Sequence, residues 1–259
     1  MISSVTNKQI KNVLKLQKSS KTRREQGLFV VEGLRMFREI PEERMEKIYV
    51  TQECYEKNRE LFAPYQDSEQ IELTMQHVFE KLSETKTPQG VLAVVKMEEW
   101  KFDRLVDEKK NPLFLILENL QDPGNLGTIL RTGEGAGVDG IIMSRDTVDI
   151  YNPKVVRSTM GSLFRIPFVY VDDLYLAIKK LQEKGTKVYA SHLNGTNFYE
   201  KDYKKGTAFL IGNEGNGLTT EISRAADEMI KIPMKGQVES LNAAIAATLM
   251  SYEVLRQRQ

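Results

Sequence analysis

Phe209-Leu-Ile-Gly-Asn-Glu-Gly-Asn-Gly-Leu218, followed by Lys231-Ile-Pro-Met-Lys-Gly-Gln-Val-Glu-Ser-Leu-Asn242, decides how this chain folds. The apolar run Ala208–Ile211 is short, is bounded by glycine, and reads as a buried strand. It breaks into a loop with Gly212, Gly215 and Gly217, residues whose missing Cβ lets backbone groups approach a ligand. A second short strand is expected to end at Ile232-Pro233-Met234. A glycine turn then leads to Ser240, placed to cap a helix beginning near Leu241. Two glycine loops after two buried strands, the second opening a helix, predict a small-molecule pocket.

Upstream, Leu113-Phe-Leu-Ile-Leu117 is apolar throughout, as in a strand covered on both faces. Asp122-Pro123-Gly124 is turn chemistry, and Asn125 to Arg131 continues with helical spacing. Strand Gly140–Met143, a helix from Asn152-Pro153 through Val155, Val156 and Met160, strand Ile166–Val171, helix Asp173–Lys184 and strand Lys187–Ser191 follow. The N-terminal part alternates in the same way. Its strands are expected at Gly27–Gly33, Lys47–Thr51, Gln70–Leu73 and Gly90–Val95, its helices around Leu34–Ile40, Cys54–Phe62 and Met75–Leu82. The pattern predicts an α/β protein of two domains, residues 1–99 and 112–259, joined by a charged, aperiodic linker at 100–111.

The 259 residues are 41% hydrophobic and 28% charged, enough to bury a substantial core. No apolar run has the length of a membrane span, and the polar start lacks a signal-peptide core. The lone cysteine, Cys54, rules out an internal disulfide, and cytoplasmic residence is the expectation. The net charge of +1 hides an asymmetry: residues 1–24 hold Lys8, Lys11, Lys15, Lys18, Lys21, Arg23 and Arg24 and no acid. On a helix, Lys8, Lys11, Lys15 and Lys18 share one face, without the acids that i,i+4 pairs would need. That face reads as a phosphate-contacting ridge, with Arg23 and Arg24 continuing it.

Several chemistries have little to stand on. Gly135-Ala-Gly137-Val-Asp-Gly140 spells a dinucleotide fingerprint, but a helix precedes it and a strand follows, the reverse of the required order. With His77, His192 and Cys54 as the whole supply of histidine and cysteine, neither a zinc site nor a histidine triad is expected. His192, at an expected strand end, is a weak candidate for the pocket. Arg131 and Glu134 could form an ordinary ion pair on a helix, but their helix leaves the C-terminal end of a buried strand, where open α/β sheets bind ligands.

Three blocks carry a resemblance: Asn119-Leu-Gln-Asp-Pro-Gly-Asn-Leu-Gly-Thr-Ile-Leu-Arg131, Leu210-Ile-Gly-Asn-Glu-Gly-Asn-Gly-Leu218, and Ile232-Pro-Met with Ser240-Leu-Asn-Ala-Ala244. In order and spacing they resemble the signature motifs of the SpoU (SPOUT-class) RNA ribose 2′-O-methyltransferases. Phe29-Val-Val-Glu-Gly33 and Thr87-Pro-Gln-Gly-Val-Leu-Ala93 resemble that family's substrate-binding domain, a fold of small RNA-binding ribosomal proteins. The resemblance implies a C-terminal trefoil-knotted α/β domain with a mostly parallel sheet beside a smaller RNA-binding α/β domain. It implies S-adenosylmethionine as cofactor, bound around Gly212, Gly217, Ile232, Met234 and Leu241, and no metal. It implies Asn125, Arg131, Glu214, Ser240 and Asn242 as reaction-site residues, and a homodimer through the C-terminal domain. The implied reaction methylates a ribose 2′-hydroxyl of structured RNA, with large-subunit ribosomal RNA as the expected substrate. A transfer-RNA substrate, base methylation and a non-catalytic RNA-binding protein on the same fold stay open. A guanidinium keeps its proton near neutrality, so Arg131 is read as an orienting donor rather than a base.

Overall fold

Strand and helix alternate through the computed structural model, which describes residues 1–107 and 109–259. In chain order, single 3-10 turns aside, the elements are α1 (Lys8–Lys18), α2 (Ser20–Gln26), β1 (Leu28–Glu32), α3 (Leu34–Phe37), β2 (Met45–Thr51), α4 (Gln52–Lys57), α5 (Arg59–Phe62), β3 (Ile71–Thr74), α6 (Gln76–Leu82), β4 (Val91–Lys96) and α7 (Phe102–Val106). Then come β5 (Leu113–Leu117), α8 (Pro123–Gly135), β6 (Gly140–Ser144), α9 (Pro153–Thr159), β7 (Phe168–Val171), α10 (Leu174–Glu183), β8 (Lys187–Asn197), β9 (Thr207–Ile211), α11 (Thr220–Ala225), β10 (Glu228–Lys231) and α12 (Ala243–Arg258). They form two compact units: Met1–Glu98 with Asp149–Phe164, and Glu99–Val148 with Arg165–Gln259.

The first unit is built on a four-stranded sheet of order β1-β4-β2-β3. Strand β4 runs antiparallel to β1 and β2, and β3 is parallel to β2. Ile10, Val13 and Leu16 of α1 pack with Val78, Phe79 and Leu82 of α6 against Val30, Leu92 and Val94. Each such aliphatic side chain, taken fully out of water, is worth about 1.5–3 kcal/mol before its entropy is counted. Burying that stripe turns Lys8, Lys11, Lys15 and Lys18 to solvent.

The stretch Asp149–Phe164, which the sequence pattern runs on within the second domain, packs instead with the first unit. The reasons are local. The Tyr151 ring lies tilted against that of Phe29 with centroids 4.5 Å apart, and its hydroxyl accepts from the Glu98 N–H at 2.9 Å. Burial pushes the Tyr151 hydroxyl up to about 12, with Glu98 and Arg44 opposing, so it stays a neutral donor. Val155 and Val156 are buried against the same unit.

The second unit carries a six-stranded, all-parallel sheet of order β10-β8-β9-β5-β6-β7. Strand β5 is central and buried at all five positions, as a parallel strand covered on both faces should be. Phe114, Ile116, Ile142, Val188, Ala208 and Leu210 meet Ile178 and Leu181 of α10 in one apolar core. Leu117 of β5 lies in register with Ile211 of β9, so the loops that follow them leave the same edge side by side. The segment expected as a charged, aperiodic linker contains α7, whose Leu105 is buried; a Cβ on Gly140 would come within 2.5 Å of Leu105 Cδ1. Among the described residues no helix is long and apolar enough to cross a membrane.

Candidate active site

Glu118, the first residue after β5, is buried, and its carboxylate accepts from the Thr219 N–H at 2.8 Å and hydroxyl at 2.7 Å, tying the first loop to the second. Asn119 follows in the left-handed region at φ 54°, a conformation asparagine tolerates better than most residues. Its N–H donates to Ser144 Oγ at 2.8 Å, and its carbonyl accepts from Asn213 Nδ2 at 2.8 Å. Asp122 then caps α8 through the Asn125 N–H at 2.7 Å, with Pro123 in the first turn where its missing N–H costs nothing. These contacts put Asn125 on the first turn of α8, 9% exposed.

Asn125 joins the three signature stretches. Its Nδ2 donates to Glu214 Oε1 at 3.0 Å, and its Oδ1 accepts from Asn242 Nδ2 at 2.8 Å. Glu214 also accepts from the backbone N–H groups of Asp122 at 2.9 Å and Gln121 at 3.1 Å. Burial pushes the Glu214 carboxyl up, but the donors of Asn125, Gln121 and Asp122 outweigh it and hold the group below its ordinary value. Asn242 turns its Oδ1 to the N–H groups of Ala244 at 2.9 Å and Ile245 at 3.3 Å, capping α12. Ser240 therefore is not the cap: the helix starts two residues later than the sequence suggests, and Ser240 is exposed. Asparagine competes as well as serine for that position, and the choice falls to the residue that also reaches Asn125.

Arg131 sits farther along α8 on its exposed side, with no hydrogen bond or ion pair among the described residues. The helix ion pair with Glu134 does not form; Glu134 instead meets the guanidinium of Arg165. The helices α8 and α12 pack together and share a hydroxyl contact, Thr248 to Thr132 at 3.0 Å.

The residues expected to hold a cofactor lie in two loops of this unit. A Cβ on Gly212 would fall 2.1 Å from the Gly217 carbonyl carbon, so only glycine lets the β9 loop close on itself. Gly217, at φ 66°, completes that turn through mutual backbone bonds with Asn213 at 2.9 and 3.1 Å. Ile232, Met234 and Leu241 are half-buried. From Pro233 to Leu241 no hydrogen bond forms among the described residues, backbone or side chain. The loop is exposed at Pro233 and from Lys235 to Ser240, so its backbone groups are open to solvent, and with the half-buried Ile232, Met234 and Leu241 beside them they suit a ligand with an aromatic base and hydrogen-bonding edges. The chemistry of an adenosyl group fits.

Lys8, Lys11, Lys15, Lys18 and Arg24 are exposed. Arg23 is corrected: it is 2% exposed, pairs with Asp149 at 2.6 Å, and donates to the carbonyls of Leu16 and Gln17 at 2.6 and 3.0 Å. Four of its five N–H donors are used inside the first unit, and its burial withdraws it from the surface an RNA would meet. His192 lies within β8, not at its end, and its Nδ1 accepts from the Asn194 N–H at 3.2 Å. Asn213 went unnoticed in the sequence, although an asparagine two residues before glycine is the usual mark of a side-chain-closed turn: its Oδ1 accepts from the Gly215 and Asn216 N–H groups. Among the described residues no cluster of His, Cys, Asp and Glu could hold a metal ion.

The three joined stretches fall inside residues 112–252, which match the sequence model of the SpoU rRNA Methylase family. The chain belongs to that family. Residues 7–93 of this SpoU-family protein match a second model, the MRM3-like substrate binding domain. Over 255 residues, 98% of each chain, it is 32% identical to the 23S rRNA (guanosine(2553)-2′-O)-methyltransferase RlmP of Bacillus subtilis. It superimposes with a TM-score of 0.86 on an AdoMet-bound rRNA methyltransferase from Sinorhizobium meliloti, at 29% identity and 98% and 97% coverage. The SpoU methyltransferase AviRb of Streptomyces viridochromogenes follows at 0.85, with 29% identity and 97% and 98% coverage.

Proposed function

We propose that this SpoU-family protein transfers a methyl group from S-adenosylmethionine to a ribose 2′-hydroxyl of large-subunit ribosomal RNA. The observation that carries the reading is the Asn125 junction, which binds Glu214 and Asn242 at once and leaves Arg131 uncommitted on the same helix. S-adenosylmethionine, when bound, supplies a methyl group activated on a sulfonium. The half-buried Ile232, Met234 and Leu241 would wall its adenine, and the backbone from Pro233 to Leu241 would meet the base edges. Arg131 would grip the ribose-phosphate and stabilise charge developing on the 2′-oxygen; the fork of donors is suited to both tasks. Glu214, held ionised by its donors, fixes the start of α8 and so the position of Arg131. Ser240, exposed beside the loop, is a candidate contact to the ribose or cofactor.

In this reading residues 1–99 form the RNA-binding domain and 112–259 a trefoil-knotted methyltransferase domain, in line with the two family matches. The exposed Lys8, Lys11, Lys15, Lys18 and Arg24 would meet phosphates. The protein would act as a cytoplasmic homodimer through α12. Ile245, Leu249 and Tyr252 of that helix are 51%, 36% and 45% exposed at i, i+4 and i+7, while Ala244, Ala247, Met250 and Val254 face the core. A helix apolar on both sides calls for a second partner. RlmP's substrate favours ribosomal over transfer RNA for a relative matched along its whole length.

The test is transfer of labelled methyl from S-adenosylmethionine to RNA from a strain lacking the gene. Label in 23S rRNA is expected. Label confined to transfer RNA, or cofactor binding with no transfer to any RNA or ribosomal precursor, would overturn the substrate assignment.

A further inference from the structure

The segment Asp149–Phe164 belongs by sequence to the methylase match and by packing to the first unit. Four contacts hold it there. Arg23 pairs with Asp149, Tyr151 bonds Glu98, Val155 and Val156 are buried, and the Arg44 guanidinium lies 5.3 Å above the ring of Phe164. Its helix α9 thereby comes to rest beside the loop before β4 and the start of α3. Pro153, Val156 and Arg157 line one small enclosed cavity together with Gln17, Glu32, Met36 and Glu84. At about 10 Å³ the cavity holds no more than a water, so it marks a convergence of elements rather than a ligand pocket.

The elements that converge there carry basic residues. Arg35 of α3, Lys86 of the loop and Lys154 of α9 are exposed, and none has a side-chain hydrogen bond or ion pair among the described residues. Arg157 is 40% exposed and pairs with Glu84 at 3.3 Å. Of the other acids nearby, Glu32 is taken up internally by the hydroxyls of Ser83 and Thr85 and the Glu84 N–H, and the Glu39 side chain packs against Gly161. The Leu34 N–H donates to Gln89 Oε1 at 2.9 Å, which fixes α3 to the same loop. Lys18, at the end of the α1 ridge, follows Gln17 of the cavity wall.

We propose that the returning segment completes an RNA-phosphate grip on the first unit, in which Lys154 and Arg157 act beside Arg35 and Lys86. The proposal rests on the RNA-methylation reading. Cations on three separate elements, with Glu84 paired to Arg157 and Glu32 taken up internally, match a run of phosphates better than a single anion. Each phosphate neutralised releases counterions, so the grip has a salt signature that a structural role lacks. Through it, a stretch of the methylase sequence takes part in holding RNA on the substrate-binding unit.

The experiment compares wild type with the triple variant Arg35→Gln, Lys86→Gln, Lys154→Gln, and with Glu84→Gln. Binding of 23S rRNA from a strain lacking the gene is measured across a salt series, alongside cofactor affinity and methyl transfer at saturating RNA. The triple variant should bind about tenfold or more weakly at moderate salt, with a salt slope shallower by about two to three phosphates. Its cofactor affinity and saturated rate should stay unchanged. Glu84→Gln, which releases Arg157 from its acid, should bind about two- to fivefold more tightly. Unchanged binding and slope in both variants would overturn the proposal. Loss of slope in the triple variant of a protein that methylates no RNA would uphold the grip while overturning the methyl-transfer reading.

Discussion

The first turn of α8 and the loop from Pro233 to Leu241 stand at opposite extremes of the second unit. In the first, Asn125, Glu214, Asn242, Asp122 and Gln121 are all tied by hydrogen bonds. In the loop, and on Arg131 along the same helix, no such bond forms among the described residues. The difference separates two jobs. On the proposed function, groups that must stand in a fixed place are satisfied by the protein, and groups that would meet a ligand are left for it. Preorganised donors act without reorganisation at the moment of reaction, provided their supports are rigid.

The contrast is most exposed to failure at Arg131. Arg131→Lys keeps a cation but loses the fork, and should lower the methyl-transfer rate by about 10³-fold, the scale of losing a transition-state donor. Thermal stability and cofactor affinity, measured on the same samples, should not move. Near wild-type turnover in lysine would remove the orienting role.

Next comes the tied side. Asn125→Asp puts a second carboxylate where Glu214 expects a donor, and a drop in rate of about 10²-fold is expected from misplaced α8, together with a lower melting temperature. Glu214→Gln keeps the shape and removes the charge. Because the folded carboxyl is held below its ordinary 4.5, its stabilisation is complete above that value and is lost as pH falls through the lowered one. The melting-temperature gap between wild type and Glu214→Gln should therefore be widest near neutrality and close as pH falls below about 4.5. A gap that widens in acid would mean that Glu214 is not held ionised.

Gly212→Ala tests the loop itself. The added Cβ meets backbone that cannot yield cheaply, and a stability loss of about 1–3 kcal/mol is expected, with weaker cofactor binding by titration. The smallest effect on the fold belongs to Ser240→Ala. An exposed side chain with no hydrogen-bond partner among the described residues should leave the melting temperature within its error, so any loss must appear in rate or cofactor affinity alone.

Local patterns made much of this legible. The uninterrupted apolar run Leu113–Leu117 and the glycines after Ile211 announced a parallel strand and its loop, and both lie where expected. Side-chain partnership was harder to see. Asn242 and Ser240 are equal as caps by type, and only the fold shows which one faces Asn125. Arg23 looked like its lysine neighbours because the acid that claims it, Asp149, is 126 positions away. The same distance in sequence hid the transfer of α9 to the first unit, since hydrophobic period reports that a face is buried and not what covers it.

Alkaline hydrolysis of 23S rRNA labelled by the enzyme reads out whether the methyl acceptor is a ribose oxygen. A methyl on the 2′-oxygen removes the nucleophile that cleaves the adjacent phosphodiester, so label should survive in one alkali-resistant dinucleotide. Label recovered in mononucleotides would place the methyl on a base and contradict the account.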